Sequence, residues 1–232
     1  MTRTDRTDPV TTMRHALAAT SSSTRLQAAL TAGTRPAEAF VPPLVERCAV
    51  EPDFFVRDML TWALTRHDPR IVVPLMLAEL ASPLPQARSQ ALHTLSKIGD
   101  PATWSAITDE LLRDEDDEVA RAAWRVASGL VPADGVTALA ETLATQFGRG
   151  DLALQRSLSR AFAVLGAPAA PAVASARHHA AEHVRLHALA TERIMADPDE
   201  GFETALAEAR RLVALRAAPR TGTGTGTGTA GC

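Results

Sequence analysis

Residues 68–99 read DPRIVVPLMLAELASPLPQARSQALHTLSKIG, and this stretch decides the fold. Asp68 can accept hydrogen bonds from the free N–H groups of a helix start, and Pro69 follows at the first helical position, where a missing N–H costs nothing. Ile71, Leu75, Leu77 and Leu80 then recur at helical spacing. Ser82-Pro83-Leu84-Pro85 breaks the chain. A second helix runs through Ala87, Ala91, Leu92, Leu95 and Ile98, and Gly99 stops it. The stretch is a helical hairpin, with an A helix and a B helix.

The hairpin repeats on both sides with a period of roughly 32 residues. Copies run Arg35–His67, Asp68–Gly99, Asp100–Val131, Pro132–Gly166 and Ala167–Ala196. One arginine marks each copy: Arg57, Arg88, Arg121, Arg156 and Arg185. A fixed period of this size means stacked supersecondary units, so the sequence predicts an all-α fold, an α-solenoid of about five hairpins over residues 23–218. Ser23–Ala32 is predicted to cap one end, with Ser23 as N-cap and Gly33 as stop. A last helix, starting at Asp197-Pro198 and continuing through Phe202, Leu206, Leu212 and Leu215, is predicted to cap the other. Residues 1–22 are Thr/Ser-rich and expected to be disordered, apart from a helical turn at Met13–Ala19. The Thr/Gly tail, 219–232, is expected to be flexible.

Composition narrows the class. Apolar residues make up 46% of the chain and aromatics only 4%, with no tyrosine, so the core must be Ala, Leu and Val. The net charge of −3 argues against a generally basic nucleic-acid coat. The two cysteines, Cys48 and Cys232, make no disulfide framework or zinc spacing, which favours a reducing cytosol. No apolar run is long enough to span a membrane, and Met1–Thr12 lacks the apolar core of a secretory signal. One lysine against 23 arginines suggests a GC-rich bacterial genome. The expected location is cytoplasmic.

The turn into each B helix carries a shared pattern: DFFVR (53–57), PQAR (85–88), DDEVAR (116–121) and EHVR (182–185). On these residues the chain resembles HEAT repeats, especially the short bacterial PBS-lyase HEAT-like kind, over about residues 35–196. FGRGDLALQR (147–156) departs most, with an extra loop and two glycines. The resemblance implies an α-solenoid whose B helices line a concave surface. It is nearly silent on function, because such solenoids host scaffolds, lyase-associated proteins and a few enzymes. HEAT-like alkylpurine DNA glycosylases contain a segment similar to residues 53–67, including an aromatic at Trp62, but their catalytic aspartate finds no matching position here. Deoxyhypusine-hydroxylase-like HEAT proteins bind two irons through His-Glu pairs, and this chain has no His-Glu dipeptide.

No catalytic motif stands out. His178, His179, His183 and His187 crowd ten residues, and His183 with His187 shares a helical face at a metal-ligand spacing. The repeat places a turn near Ala181-Glu182, so His178 and His179 fall on another element and no third ligand converges. A solvated or packed set is the expectation, with no metal or cofactor. The acidic run Asp114–Glu118 lacks the spacing and central glycine of a calcium loop and is read as complementing a helix N-terminus. Trp104 and Trp124 are read as packing; Trp62 is left open between packing and stacking on a ligand.

Charge gives the functional expectation. With B helices taken as 56–66, 87–98, 119–130, 154–165 and 183–195, ten cations face two acids, a net of +8, while the rest of the chain carries −11. The candidate binding set is Arg57, Trp62, Arg66, Arg88, His93, Lys97, Arg121, Arg125, Arg156, Arg160, Arg185 and Arg193. The competing structural reading is an internal ladder, in which the first arginine of each B helix pairs with a turn carboxylate such as Asp53, Asp117 or Glu182. The sequence therefore predicts a non-catalytic scaffold that engages an acidic protein or peptide through the concave B-helix face. The alternative partner is nucleic acid, with DNA-glycosylase-like chemistry as its extension.

Overall fold

The computed structural model describes residues 8–217, with side chains to 215. Its helices are α1 (Pro9–Leu17), α2 (Ser22–Thr34), α3 (Val41–Cys48), α4 (Phe54–Thr65), α5 (Pro69–Glu79), α6 (Pro85–Ile98), α7 (Asp109–Leu112), α8 (Asp117–Leu130), α9 (Val136–Ala144), α10 (Leu152–Leu165), α11 (Ala170–Ala176), α12 (Glu182–Ala196) and α13 (Phe202–Ala217). Short 3-10 turns lead into several of them. No strand occurs among the described residues. The chain is an all-α solenoid.

The even-numbered helices are the B row. Each packs on the next in chain order from α2 to α12, and α13 closes the row against α12. The odd-numbered helices pack against their own B helices as a second layer. The core between the layers is Leu-, Val- and Ala-rich: Leu44, Leu60, Leu64, Leu92, Leu95, Leu143 and Leu158 are fully buried, with Phe162 and Trp124 the largest members. Trp124 also donates its indole N–H to the Leu112 carbonyl at 2.8 Å, tying α8 to the short α7.

Helix starts follow the sequence logic. Asp8, Ser21, Asp53, Asp68, Asp116 and Asp151 each accept an N–H of the helix that follows; for α2 the cap is Ser21, not the expected Ser23, which lies inside the helix. Asp100 does the same for the 3-10 turn Pro101–Ala106. Gly99 ends α6 with φ of 70°, the left-handed conformation glycine adopts without a Cβ penalty.

A recurrent device holds each hairpin closed. Four residues after the N-cap of a B helix, an arginine folds back and donates to carbonyls of the preceding turn. Arg25 reaches Ala19 O and Thr20 O; Arg57 reaches Glu51 O and Pro52 O; Arg88 reaches Ser82 O; Arg185 reaches His179 O and Ala180 O. The turn carbonyls have no helical partner, so the guanidinium satisfies them.

Counting from the cap corrects the alignment. In α8 and α10 the fourth residue is Ala120 and Gln155, so the repeat-marking Arg121 and Arg156 lie one position late. Substitutes fill both gaps: Arg149 donates to Asp114 O and Glu115 O, and Gln155 Nε2 donates to Gly150 O. Arg25 in α2 adds a staple that the five-copy reading missed.

Other expectations change as well. Residues 9–17 form α1, where only a helical turn at Met13–Ala19 was expected, because the helix buries Met13 and Leu17 against its neighbours. Gly33 does not stop α2; it lies inside it, and a Cβ there would stand 2.2 Å from the Trp62 ring. Glycine lets α2 and α4 approach across the indole. In α5 the buried stripe is Val72, Met76 and Leu80, and Ile71, Leu75 and Leu77 flank it half-buried. The last helix begins at Phe202, not at Asp197-Pro198, since Asp197 terminates α12. Residues 1–7 and the 219–232 tail lie outside the described residues.

Candidate binding face on the B helices

The N-cap count also defines rows across the B helices. Five residues after the cap stand Asp58, Ser89, Arg121 and Arg156 on α4, α6, α8 and α10. Nine residues after it stand Trp62, His93, Arg125 and Arg160. A groove of about 540 Å³ crosses α4, α6 and α8 over these rows, lined among others by Phe54, Asp58, His93, Glu118, Arg121 and Arg125. Asp58 and Glu118 were not among the predicted binding residues. Glu118 escaped because the helix was drawn two residues short of its observed start.

That shortened start also inflated the charge. The observed helices α4, α6, α8, α10 and α12 include Asp117, Glu118 and Glu182 and exclude Arg66, leaving nine cations against five acids, a net of +4. The face is still cationic, with the excess on α6 and α10.

The predicted residues divide by what they touch. Arg88 pairs with Asp114 at 2.9 Å, Arg193 with Glu200 at 2.7 Å, and Arg121 with Glu118. Arg57 and Arg185 are engaged by turn carbonyls, and Arg57 also lies 5.9 Å over the Phe54 ring. The internal ladder therefore holds in part: Arg88 and Arg121 pair with carboxylates, Arg57 and Arg185 are held by turn carbonyls, and Arg156 has neither kind of partner among the described residues. Asp53 caps α4 and Asp117 binds Arg149, so neither pairs with its own repeat's arginine. Arg66, Lys97, Arg125, Arg156 and Arg160 are exposed and form no ion pair among the described residues. Burial, then the cations Arg125 and Lys97, hold His93 below its ordinary pKa against the opposing pull of Asp58. Trp62 packs on Gly33 and keeps 36% of its surface exposed.

The histidine cluster has a structural role. His187 is buried, and its Nδ1 accepts the Gly148 N–H at 2.9 Å. A backbone N–H only donates, so Nε2 carries the ring proton and donates to Gln155 O at 3.0 Å. Ser159 and Thr191 complete a buried polar chain, and Phe147 and Phe202 meet the ring edge-on. The exposed His183 lies over Gly148, where a Cβ would stand 2.3 Å from its ring. His183 and His187 thus clasp the glycine loop of the fourth hairpin. No group of metal-ligating residues converges among the described residues.

Burial pushes the His187 pKa down from 6.5 to about 4. Between those values the unfolded chain binds the proton and the folded chain does not, so stability falls as pH drops from 6.5 towards 4. The loss amounts to roughly 3 kcal/mol at the acid end of the window. His187→Asn keeps an acceptor for Gly148 but removes the titration. Urea unfolding from pH 7 to pH 4 is expected to show a shallower decline for this variant; an unchanged slope contradicts the assignment.

No known family model matches the chain, nor does any curated protein sequence. Among solved structures, it is similar to human deoxyhypusine hydroxylase in complex with glycerol, at 15% identity and TM-score 0.44, covering 89% of this chain and 96% of that one. It is also similar to the complex of CpcE and CpcF of phycocyanin lyase from Nostoc sp. PCC7120, at 16% identity and TM-score 0.38, covering 92% and 97%. At these identities and scores the likeness assigns no activity. No helix among the described residues is long and apolar enough on its own to cross a membrane.

Proposed function

We propose that this chain is a non-catalytic, HEAT-like binding scaffold of the bacterial cytosol that engages an acidic protein segment through its B-helix face. One observation carries the reading: five exposed cations, Arg66 at the end of α4 and Lys97, Arg125, Arg156 and Arg160 on the B helices, have no ion-pair partner among the described residues, while the other B-helix arginines are engaged within the chain. A cation already paired must lose its partner to bind a new anion; these five do not.

Two further features favour a peptide over nucleic acid. Asp58 and Glu118 line the groove together with Arg125 and would repel a continuous phosphate backbone. Phe54, which lines the groove, is 66% exposed, and Phe55 and Leu84, at the starts of α4 and α6, are 74% and 47% exposed; these suit apolar side chains of a polypeptide.

Poly-L-glutamate and single-stranded DNA of matched length separate the two partners. The glutamate polymer is expected to bind more tightly at low salt, and poly-L-lysine not at all. Tighter DNA binding that falls by orders of magnitude with rising salt supports the nucleic-acid reading instead.

A further inference from the structure

The two rows on the B helices change character in the same direction. Row five runs Asp58, Ser89, Arg121, Arg156, and row nine runs Trp62, His93, Arg125, Arg160. Each is non-cationic on α4, polar on α6 and arginine on α8 and α10. The rows end at both sides: the next row-nine positions are Leu30 on α2 and the buried Ala190 on α12, which α13 covers. The exposed aromatics belong to the α4 end, where Phe54 opens the groove and Trp62 stands in row nine.

Packed helices lie about 8–10 Å apart. An extended peptide advances about 3.3 Å per residue. A strand laid across the B row therefore meets one helix about every three residues. From this match we infer that the face reads an extended segment with an apolar anchor at the Trp62 and Phe54 end, a neutral polar residue over His93, and acidic residues three positions apart over Arg125 and Arg160. The inference rests on the acidic-partner reading above and adds spacing and polarity to it.

The arrangement suits that occupant chemically. Arg125 and Arg160 are exposed and have no ion-pair partner among the described residues, so each can take a carboxylate in a two-pronged hydrogen-bonded pair. Arg156 flanks Arg160 one turn earlier and has no ion pair among the described residues, whereas Arg121 is held by Glu118. The α10 rung is accordingly the stronger carboxylate site. Asp58 sets orientation, because an acid placed at the α4 end would face it.

Fluorescein-labelled Gly/Ser peptides of equal length and charge provide the test, read by anisotropy at low salt. All carry one leucine and two glutamates. In the first, the nearer glutamate lies six positions from the leucine and the second three beyond it. In the second the glutamates are adjacent; in the third they are six apart, the spacing a helix with about 1.5 Å rise per residue would need. The first peptide is expected to bind about tenfold more tightly than the other two, a difference near 1.4 kcal/mol. Arg160→Ala should abolish its advantage over the adjacent-glutamate peptide. Equal affinity for all three overturns the spacing inference while leaving the acidic-partner reading intact. Preference for the third peptide means a helical occupant and also overturns it. Failure of all three to bind better than a lysine-substituted peptide overturns the inference and the acidic-partner reading together.

Discussion

Glu51→Ala is expected to destabilise the protein by roughly 3–5 kcal/mol, the cost of removing one partner from a buried charge pair. Glu51 is wholly buried at the junction of α2, α3 and α4. Its carboxylate accepts two hydrogen bonds from Arg25 at 2.7 Å, one from Arg47 at 2.7 Å and one from the Asp53 N–H at 2.9 Å. Arg25 is 5% exposed and cannot recover its lost partner from water; Arg47 is closer to the surface and can. The same residue predicts a second acid step. Despite the opposing effect of burial, the hydrogen bonds from Arg25 and Arg47 lower the Glu51 pKa from 4.5 to about 2. Its stabilisation is present above pH 4.5 and is lost as pH falls through 2. Denaturant unfolding at neutral pH measures the first effect. A loss below about 1 kcal/mol would mean that the network adds no more than an exposed ion pair.

Leu92→Ala is expected to cost about 2–5 kcal/mol, since Leu92 is fully buried in α6 and its neighbours can close the cavity only partly. The physical interest lies in where the loss spreads. A solenoid is stabilised by contacts between neighbouring units, and α6 is sandwiched between α4 and α8. Hydrogen exchange should accelerate in α4, α6 and α8 and much less in α12. Faster exchange confined to α6, or uniform from α1 to α13, contradicts nearest-neighbour coupling.

Legibility varied with the range of the interaction. Capping aspartates and Gly99 act within four residues, so the hairpins were readable from local pattern. The staple arginines were seen as markers, but their acceptors were misassigned: a carboxylate is visible in sequence, whereas a free turn carbonyl is not. The offset of Arg121 and Arg156 was also readable, by counting from Asp116 and Asp151. Gly33 misled because glycine reads as a stop, and only the indole of Trp62, 29 positions away, gives it a packing role. Only part of α1 was legible, as a turn at Met13–Ala19, because two anchors, Met13 and Leu17, are all that its short sequence buries. His187 meets Gly148 across 39 positions, beyond any local pattern. For the binding face, the cationic excess was legible, but its size depended on where α4 ends and where α8 and α12 begin.

Reversing charge at Arg125 and Arg160 tests the central claim most directly. Both are exposed on the B face and form no ion pair among the described residues, so Arg125→Glu with Arg160→Glu should leave the circular dichroism spectrum unchanged. The control is the same reversal at the exposed Arg113 and Arg210, neither of which lines the groove. Arg47 is unsuitable as a control because it holds Glu51. With poly-L-glutamate as probe, the Arg125 and Arg160 double variant is expected to lose at least about tenfold in affinity, mainly through slower association, and to gain nothing from lower salt. The control variant is expected to bind nearly as the parent does. Equal binding by both variants would contradict a partner site on the B helices and leave their arginines as helix-end and turn-closing groups.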